Sequence, residues 1–331
     1  MPPRPIIHIG LHKTATSWFQ THFYPVLTSH RWIDRITVRK VLLGGNAFDF
    51  DAGEARRALG FDDKGPPLAL CDEDLSGILH NGGLMTSFLA SGLAERVHAV
   101  APEAQIVIFV REPLALAAAR YHQYLREGGT GSPRRYLFPE DYRHLSKVRP
   151  FKVPRFDISQ LDSTGLIDRY DMLFGRENVH VFAYEAFAKD SLAFLSAYKS
   201  RLGIEGGPDT AKATVNASYR RGLLPLARLL NLFTERSVAD KKVIMHVPYW
   251  YAARKYLLAR LNRLPLFGAP PSPVALFGAQ VAAWLRAQFS AANRKLAERM
   301  DLDLASLGYE TGEQAHVERP MRAAWLRALR H

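Results

Sequence analysis

Apolar residues fall along this chain in short unbroken runs that alternate with longer amphipathic stretches. Ile6 to Ile9, Pro67-Leu68-Ala69-Leu70-Cys71, Gln105 to Val110 and Val179 to Tyr184 are runs of strand length with almost no polar interruption. Between them the spacing predicts helices: Thr16 to Phe23, ended by Pro25 and Thr28-Ser29-His30; a surface helix within residues 44–66; residues 81–99; Leu114 to Arg126, stopped by Gly128-Gly129; Asp157 to Phe174, with Gly175 as its stop; and a helix from Glu185 through Leu202. Residues 130–156, basic and proline-bearing, read as irregular loop. Strands that are apolar at every position, and not at every second one, are covered on both faces. The alternation therefore predicts an α/β fold, a three-layer α/β/α arrangement around a central, mostly parallel sheet. Beyond residue 213 the pattern changes. A polar loop, Asn216 to Gly222, leads into helical segments dense in Leu, Arg and aromatic residues, then Pro265 to Pro273, then a long amphipathic helix from Val274 to Met300. The last stretch, around Met321 to Arg330, reads as a basic helix bearing Trp325.

Composition narrows the class more than the function. With 331 residues, 47% of them hydrophobic, the chain has ample material for a sizeable core. The expected organisation is a single domain over residues 1–331, with 223–275 as a distinct helical insertion and 312–331 as a basic terminal helix. One cysteine, Cys71, excludes an internal disulfide framework and a cysteine-rich zinc site. No apolar stretch follows a basic start, so no signal peptide is expected, and no run reaches the roughly 20 residues that span a bilayer. The expectation is a cytoplasmic protein, peripheral to a membrane at most. A net charge of +12 suits an anionic ligand, a nucleic acid or a membrane surface without choosing among them. No nucleic-acid reading motif accompanies it, and no nucleic-acid partner is expected.

The chemistry concentrates where strands end. After Ile9, Gly10 breaks the first run, and Leu11-His12-Lys13-Thr14-Ala15-Thr16-Ser17-Trp18 opens the first helix. Strand, tight loop and helix N-terminus form an anion site: the first-turn amides point outward, the helix dipole adds partial positive charge, and Lys13 adds a whole one. The second strand ends in Asp72-Glu73-Asp74. The third runs into Arg111-Glu112-Pro113, and the fourth ends at Tyr184-Glu185. These are the positions at which open α/β sheets hold ligands. A triphosphate-binding P-loop needs glycines at its head and just before its lysine. Aligned on Lys13, those positions hold Ile7 and His12, and the three spaced glycines of a dinucleotide site are absent as well.

The loop resembles the phosphosulfate-binding loop of sulfotransferases that use 3′-phosphoadenosine-5′-phosphosulfate (PAPS), in their bacterial and Golgi-type members. That loop reads approximately Gly-x-x-Lys-x-Gly-Thr-[Thr/Ser]; Gly10, Lys13, Thr16 and Ser17 match, and Ala15 stands where the family has glycine. A second match is the strand ending in Arg111-Glu112-Pro113, which resembles the family's 3′-phosphate site, with Ala119 at the position of its serine. Arg120, Tyr121 and His122 are the neighbours that offer a replacement contact. Tyr184 looks like the family's strand-end tyrosine near the adenine, Asn216 and Ser218 like its Asn-x-Ser loop, and Arg221-Gly222 like its basic-Gly element. Asn293, Leu304 and Leu307-Gly308-Tyr309 resemble the bacterial C-terminal ending. The resemblance implies a P-loop-NTPase-like fold, PAPS as donor with 3′-phosphoadenosine 5′-phosphate (PAP) as product, and no metal.

On that resemblance, the donor would be held by Gly10, Lys13, Thr14, Ala15, Thr16, Ser17, Trp18, Arg111, Ala119, Tyr184, Asn216, Ser218, Arg221 and Gly222. The acceptor would be a hydroxyl of a carbohydrate, glycolipid or small metabolite, with residues 223–275 shaping its site. In-line sulfuryl transfer needs fixed positive charge at the leaving oxygen and a base at the incoming hydroxyl. Lys13 and the loop amides supply the first. Glu73 is the expected base, followed by His12 and then Asp72. Two other functions fit the same residues, a nucleotide-dependent kinase and a sulfotransferase-like protein that binds without catalysis. Plainer roles stand beside each site: Arg111 as an ion-pair partner of Glu112 or Glu185, Asp72 to Asp74 as a helix cap, Tyr184 as core, and Asn216 and Ser218 as turn formers. The basic aromatic stretch Tyr249-Trp250-Tyr251 with Arg254, Lys255, Arg260 and Arg263 reads either as a packed amphipathic helix or as a surface for a membrane, a sugar or a partner subunit.

Overall fold

The computed structural model describes residues 3–80, 83–84, 87–145, 156–211, 218–235, 241–314 and 317–320. They cluster into two compact units. The first comprises Met1–Leu79, Met85–Arg111 and Ser163–Ala217; the second comprises His80–Leu84, Glu112–Asp162 and Ser218–His331.

The first unit is built on a five-stranded sheet. Its strands are β1 (Ile6–His8), β2 (Arg31–Ile33), β3 (Leu68–Cys71), β4 (Gln105–Val110) and β5 (Val179–Ala183), in the spatial order β2-β3-β1-β4-β5. Every pairing is parallel, with Ile6 opposite Ala69 on one side and Gln105 on the other. Every residue of β1, β3 and β5 is buried, which is why these strands carry no polar-out alternation. Helices flank the sheet, and the protein is an α/β protein with a P-loop-like parallel core. The chain leaves β1 for the edge strand β2, returns to β3 beside β1, and then crosses to β4 on the other flank of β1. The order thus reverses at β1, and the crevice beyond the carboxyl ends of strands at such a reversal is where open sheets bind ligands. Because all five strands are parallel, the loop after β1, Asp72–Asp74 after β3, Arg111 after β4 and Tyr184 after β5 share one sheet edge.

An aromatic cluster packs on one face of this sheet: Phe19, Phe23 and Tyr24 of the first helical segment meet Phe109, Phe182, Phe187 and Tyr198. His8 is embedded among them, stacked on Phe109 with ring centroids 5.0 Å apart. Its Nδ1 lies 3.0 Å from the Tyr24 hydroxyl, which lies 2.6 Å from that of Tyr198. Burial pushes the His8 pKa down to about 3, against a smaller upward pull from Glu73, so the ring is neutral at physiological pH.

The second unit is helical. Its central helix, Pro113–Arg126, begins with Pro113 in the first turn, and the Glu112 carboxylate accepts from the amides of Leu114 (3.1 Å) and Ala115 (2.6 Å). Its other end is closed by side chains from distant sequence. Asn231 Nδ2 donates to the Leu125 and Gly129 carbonyls at 2.9 and 2.6 Å, Arg254 Nη2 to the Arg126 carbonyl at 2.7 Å, and Lys241 Nζ to the Gly128 carbonyl at 3.1 Å. Buried cations and an amide therefore satisfy the carbonyl end of the dipole. Tyr121, Tyr124, Tyr136, Trp284 and Phe289 pack around this helix.

Several element boundaries differ from the expectation, each for a local reason. The edge strand β2 was not expected, because Arg31-Trp32-Ile33 is short and only partly buried. The helix expected from residue 81 is helical over Ser87–Val100. Residues 130–156 are not all loop: Ser132 caps a helix over Pro133–Leu137, and a 3₁₀ segment covers Pro139–Leu145. The helix expected over 157–174 is split into Ile158–Leu161, capped by Asp157, and Thr164–Phe174. Asp190 divides the next into Tyr184–Lys189 and Ser191–Leu202, and Gly278, at φ +91°, divides Pro273–Phe277 from Ala279–Met300. The terminal helix expected around Met321 to Arg330 lies outside the described residues.

Candidate active site at the loop after the first strand

The loop is shaped by three left-handed residues in close succession. Gly10 has φ +46°, and a Cβ built on it would lie 2.3 Å from Thr16 Cγ2, so only glycine fits there. Lys13 and Ala15 adopt φ values of 74° and 69° although neither is glycine. Each costs roughly 1–2 kcal/mol of backbone strain. The buried Thr14 hydroxyl clips the turn closed, donating to the Leu11 carbonyl at 2.5 Å and accepting from the Leu11 amide at 3.2 Å. The helical ladder starts with the amides of Trp18 and Phe19, both on the Ala15 carbonyl, at 2.8 and 3.2 Å. The amides of Ala15, Thr16 and Ser17 precede that ladder, and no side chain caps the turn at Ala15. Ala15 thus holds a backbone conformation that glycine adopts freely.

Arg111 joins this loop to the end of β4. Its Nη1 donates to the Lys13 carbonyl at 2.8 Å, and its guanidinium lies 4.4 Å over the Tyr184 ring. The structure thus brings Lys13, Arg111 and Tyr184 together, and Glu112 is engaged on its own helix. Arg111 Nε is buried without a hydrogen-bond partner. A guanidinium is always charged, and a buried donor without an acceptor is costly, so this edge fits an anionic group.

Beside the loop, Asp72, Glu73 and Asp74 have separate tasks. Asp72 is fully buried and clamped by Arg39, whose Nε and Nη2 donate to its two oxygens at 2.6 and 3.0 Å. Its Oδ1 also accepts from the Asp74 amide at 2.9 Å, so Asp72 is the cap that the sequence allowed for. Asp74 pairs with Arg39; burial first and then the Asp72 charge push its pKa up to about 6. Glu73 accepts from Gln20 Nε2 at 2.9 Å and from Arg35 Nη2 at 3.2 Å. Burial pushes the Glu73 carboxyl up, but His12, Arg35, its own amide and Gln20 together outweigh it, and the pKa lies below the ordinary carboxylate value. Glu73 is therefore an ionised carboxylate at neutral pH. His12 Nε2 lies 2.6 Å from the Gly77 carbonyl and 3.5 Å from Asp74 Oδ1. A carbonyl only accepts, so Nε2 carries the proton and is not the atom that takes one.

Gln20, Arg35 and Arg39 were not singled out from the sequence. Arg35 and Arg39 are spaced i, i+4 behind the Asp34 cap, a pattern that signals one helix face but not what that face meets. Ala119, Ser218, Arg221 and Gly222 belong to the second unit. There Gly222 N donates to the Phe267 carbonyl at 3.0 Å and Arg221 N to the Ala269 carbonyl at 3.1 Å. Neighbouring Arg220 donates from Nε to the Asn262 carbonyl and from Nη1 to the Gly268 carbonyl. Asn216 lies outside the described residues. Among the described residues, no cluster of His, Cys, Asp or Glu has the arrangement of a metal site, and no helix is long and apolar enough to cross a membrane.

No family model and no curated relative matches the chain. Among solved structures, it is similar to a sulfotransferase from Alicyclobacillus acidocaldarius at 17% identity and a TM-score of 0.44, over 80% of this chain and 98% of that one. A match at that level bears on neither activity nor substrate, and the fold assignment rests on the sheet itself.

Proposed function

We propose that this protein is a sulfotransferase that takes PAPS as donor and a hydroxyl of a carbohydrate, glycolipid or small metabolite as acceptor. The observation that carries this reading is Arg111. A strand-end arginine is hydrogen-bonded to the backbone of a lysine-bearing anion loop on the neighbouring strand and keeps a buried donor without a partner. Two anion-holding elements are thereby joined at the sheet edge where the strand order reverses. A donor with a phosphosulfate at one end and a 3′-phosphate at the other requires two such elements.

The acceptor oxygen forms the new bond to sulfur while the bond from sulfur to the bridging oxygen of the donor breaks. Lys13 and the amides of Ala15, Thr16 and Ser17 stabilise the negative charge that grows on the departing oxygen. Glu73 takes the hydroxyl proton as the new bond forms, and its ionised state at neutral pH suits that role. Its lowered pKa makes it a modest base, adequate where proton transfer accompanies bond formation and does not precede it. Asp72, committed to Arg39 and to capping, serves the architecture.

The test is a thermal-shift comparison of PAP with ATP. A ligand that binds the folded state raises its stability by about 2.7 kcal/mol at a hundredfold excess over Kd. PAP is expected to raise Tm and ATP with magnesium to leave it unchanged. No shift at saturating PAP overturns the reading, and a shift with magnesium and ATP alone makes the protein a kinase.

A further inference from the structure

We infer that the surface formed by residues 242–266 of the second unit docks on an anionic lipid bilayer. Residues 241–297 contain nine Lys and Arg and no Asp or Glu. Two of the nine, Lys241 and Arg254, are buried on the carbonyls that close the central helix, so they do not account for the exposed charge. Lys242, Lys255, Arg260 and Arg263 are exposed.

Large apolar side chains stand in the same stretch. The helix Trp250–Leu261 buries only Arg254 and Leu258, one turn apart, and turns Tyr256 and Arg260 to its opposite face, with Arg263 exposed just past its end. Arg260 stacks on Tyr256 at 4.5 Å, which sets a guanidinium beside an aromatic ring on that face. Ahead of the helix, Ile244, Met245 and Tyr249 are exposed; behind it, Leu264 and Leu266 are. Tyr249 is 91% exposed and Leu266 73%. Tyr249 also adopts a left-handed conformation, φ 62°, at the residue that starts the helix. A tyrosine held in that conformation with its ring in solvent carries a backbone cost that no contact of the ring repays.

The chemistry of the patch selects the occupant. A soluble polyanion would use the four cations and gain nothing from exposed Ile244, Met245 and Leu266. An apolar protein groove would use those side chains and exclude the cations. The interface of an anionic bilayer takes both: aliphatic tips enter the acyl boundary, tyrosines sit at the headgroup level, and Lys and Arg meet the phosphates. The backbone behind the patch is firmly tied, with the Trp250 indole donating to the Leu230 carbonyl at 2.9 Å and Ile244 N to the Leu232 carbonyl at 2.8 Å. The surface is therefore presented by a fixed scaffold.

The experiment is co-sedimentation of the full chain with phosphatidylglycerol–phosphatidylcholine vesicles and with pure phosphatidylcholine vesicles. Binding is expected to the former only and to weaken with added salt. Each Lys or Arg at such a surface contributes about fivefold in affinity, so Lys255→Ser/Arg260→Ser/Arg263→Ser is expected to lose on the order of a hundredfold. Tyr249→Ser/Tyr256→Ser/Leu266→Ser is expected to weaken partitioning while leaving Tm and circular dichroism unchanged, since all three side chains are exposed. No partitioning of the wild type into anionic vesicles overturns the inference, as does equal binding to the uncharged ones. If the apolar triple variant binds as the wild type does, or heparin is bound and vesicles are not, the patch is a polyanion site and the inference also fails. The assay reads no turnover, so its failure leaves the donor reading untouched.

Discussion

Gly10→Ala is the most direct challenge to the architecture of the loop. Two costs arise in the structure. The first is conformational: φ at Gly10 is +46°, and an L side chain there costs roughly 1–2 kcal/mol. The second is steric: the new Cβ would lie 2.3 Å from the buried Thr16 Cγ2, an overpacking that costs typically 1–3 kcal/mol. The expected destabilisation is therefore about 2–5 kcal/mol. The two parts separate in a double-mutant cycle with Thr16→Ser, which removes the clashing methyl and leaves the dihedral unchanged. A coupling energy of about 1–3 kcal/mol should appear, the steric part alone. Because the chain has two compact units, the suitable assay is hydrogen exchange of the β1 and β4 amides, which reports opening of the first unit. Turnover should fall with the displaced loop and return in part in the double variant, since an error near 1 Å at a reacting group costs on the order of a hundredfold. A neutral Gly10→Ala, or a cycle with no coupling, would refute the packing described between Gly10 and Thr16.

Three further predictions separate the roles assigned to the site. Lys13→Ala should lower kcat by a factor on the order of 10²–10³, as removal of one charge-stabilising donor does, whereas Arg111→Ala should weaken PAP binding roughly 10–100-fold with a smaller effect on kcat; steady-state kinetics with PAP titration distinguishes them, and unchanged kinetics in both would remove the site. Glu73→Gln, which is isosteric and keeps an oxygen for Gln20, should lower kcat by about 10²–10⁴; full activity in this variant would move the base elsewhere. Asp74 has a folded-state pKa of about 6, above its ordinary 3.8, so between those values the folded chain binds its proton more tightly than the unfolded chain does. Its contribution to stability therefore falls as pH rises through that window and is lowest above about 6. Hydrogen exchange of the first unit across this range should show that slope in the wild type and lose it in Asp74→Asn; an unchanged slope would assign it to another group.

What the sequence made legible and what it hid divide along physical lines. Four of the five strands were readable because strands buried on both faces are dominated by apolar residues over a short, turn-bounded run. Arg31-Trp32-Ile33 escaped because it is only three residues long and partly solvated, whereas Val179–Ala183, at the other edge of the sheet, is longer and fully buried. Helix breaks escaped where one residue makes them, as Asp190 and Gly278 do, since a period measured over two or three turns averages a single cap away. The loop and Arg111 were readable because a parallel sheet delivers every strand end to one edge, so residues distant in sequence are known to share a side of the molecule. The division of labour within Asp72-Glu73-Asp74 was not. Three adjacent carboxylates are equivalent on paper, and their roles depend on Arg35 and Arg39, which reach them from another segment of the chain. Arg39 clamps Asp72 and pairs with Asp74, while Glu73 accepts from Gln20 and Arg35, so the three carboxylates differ through partners that no local pattern encodes. At Ala15 the chain adopts φ 69°, a conformation that glycine takes without strain, with a methyl group in place.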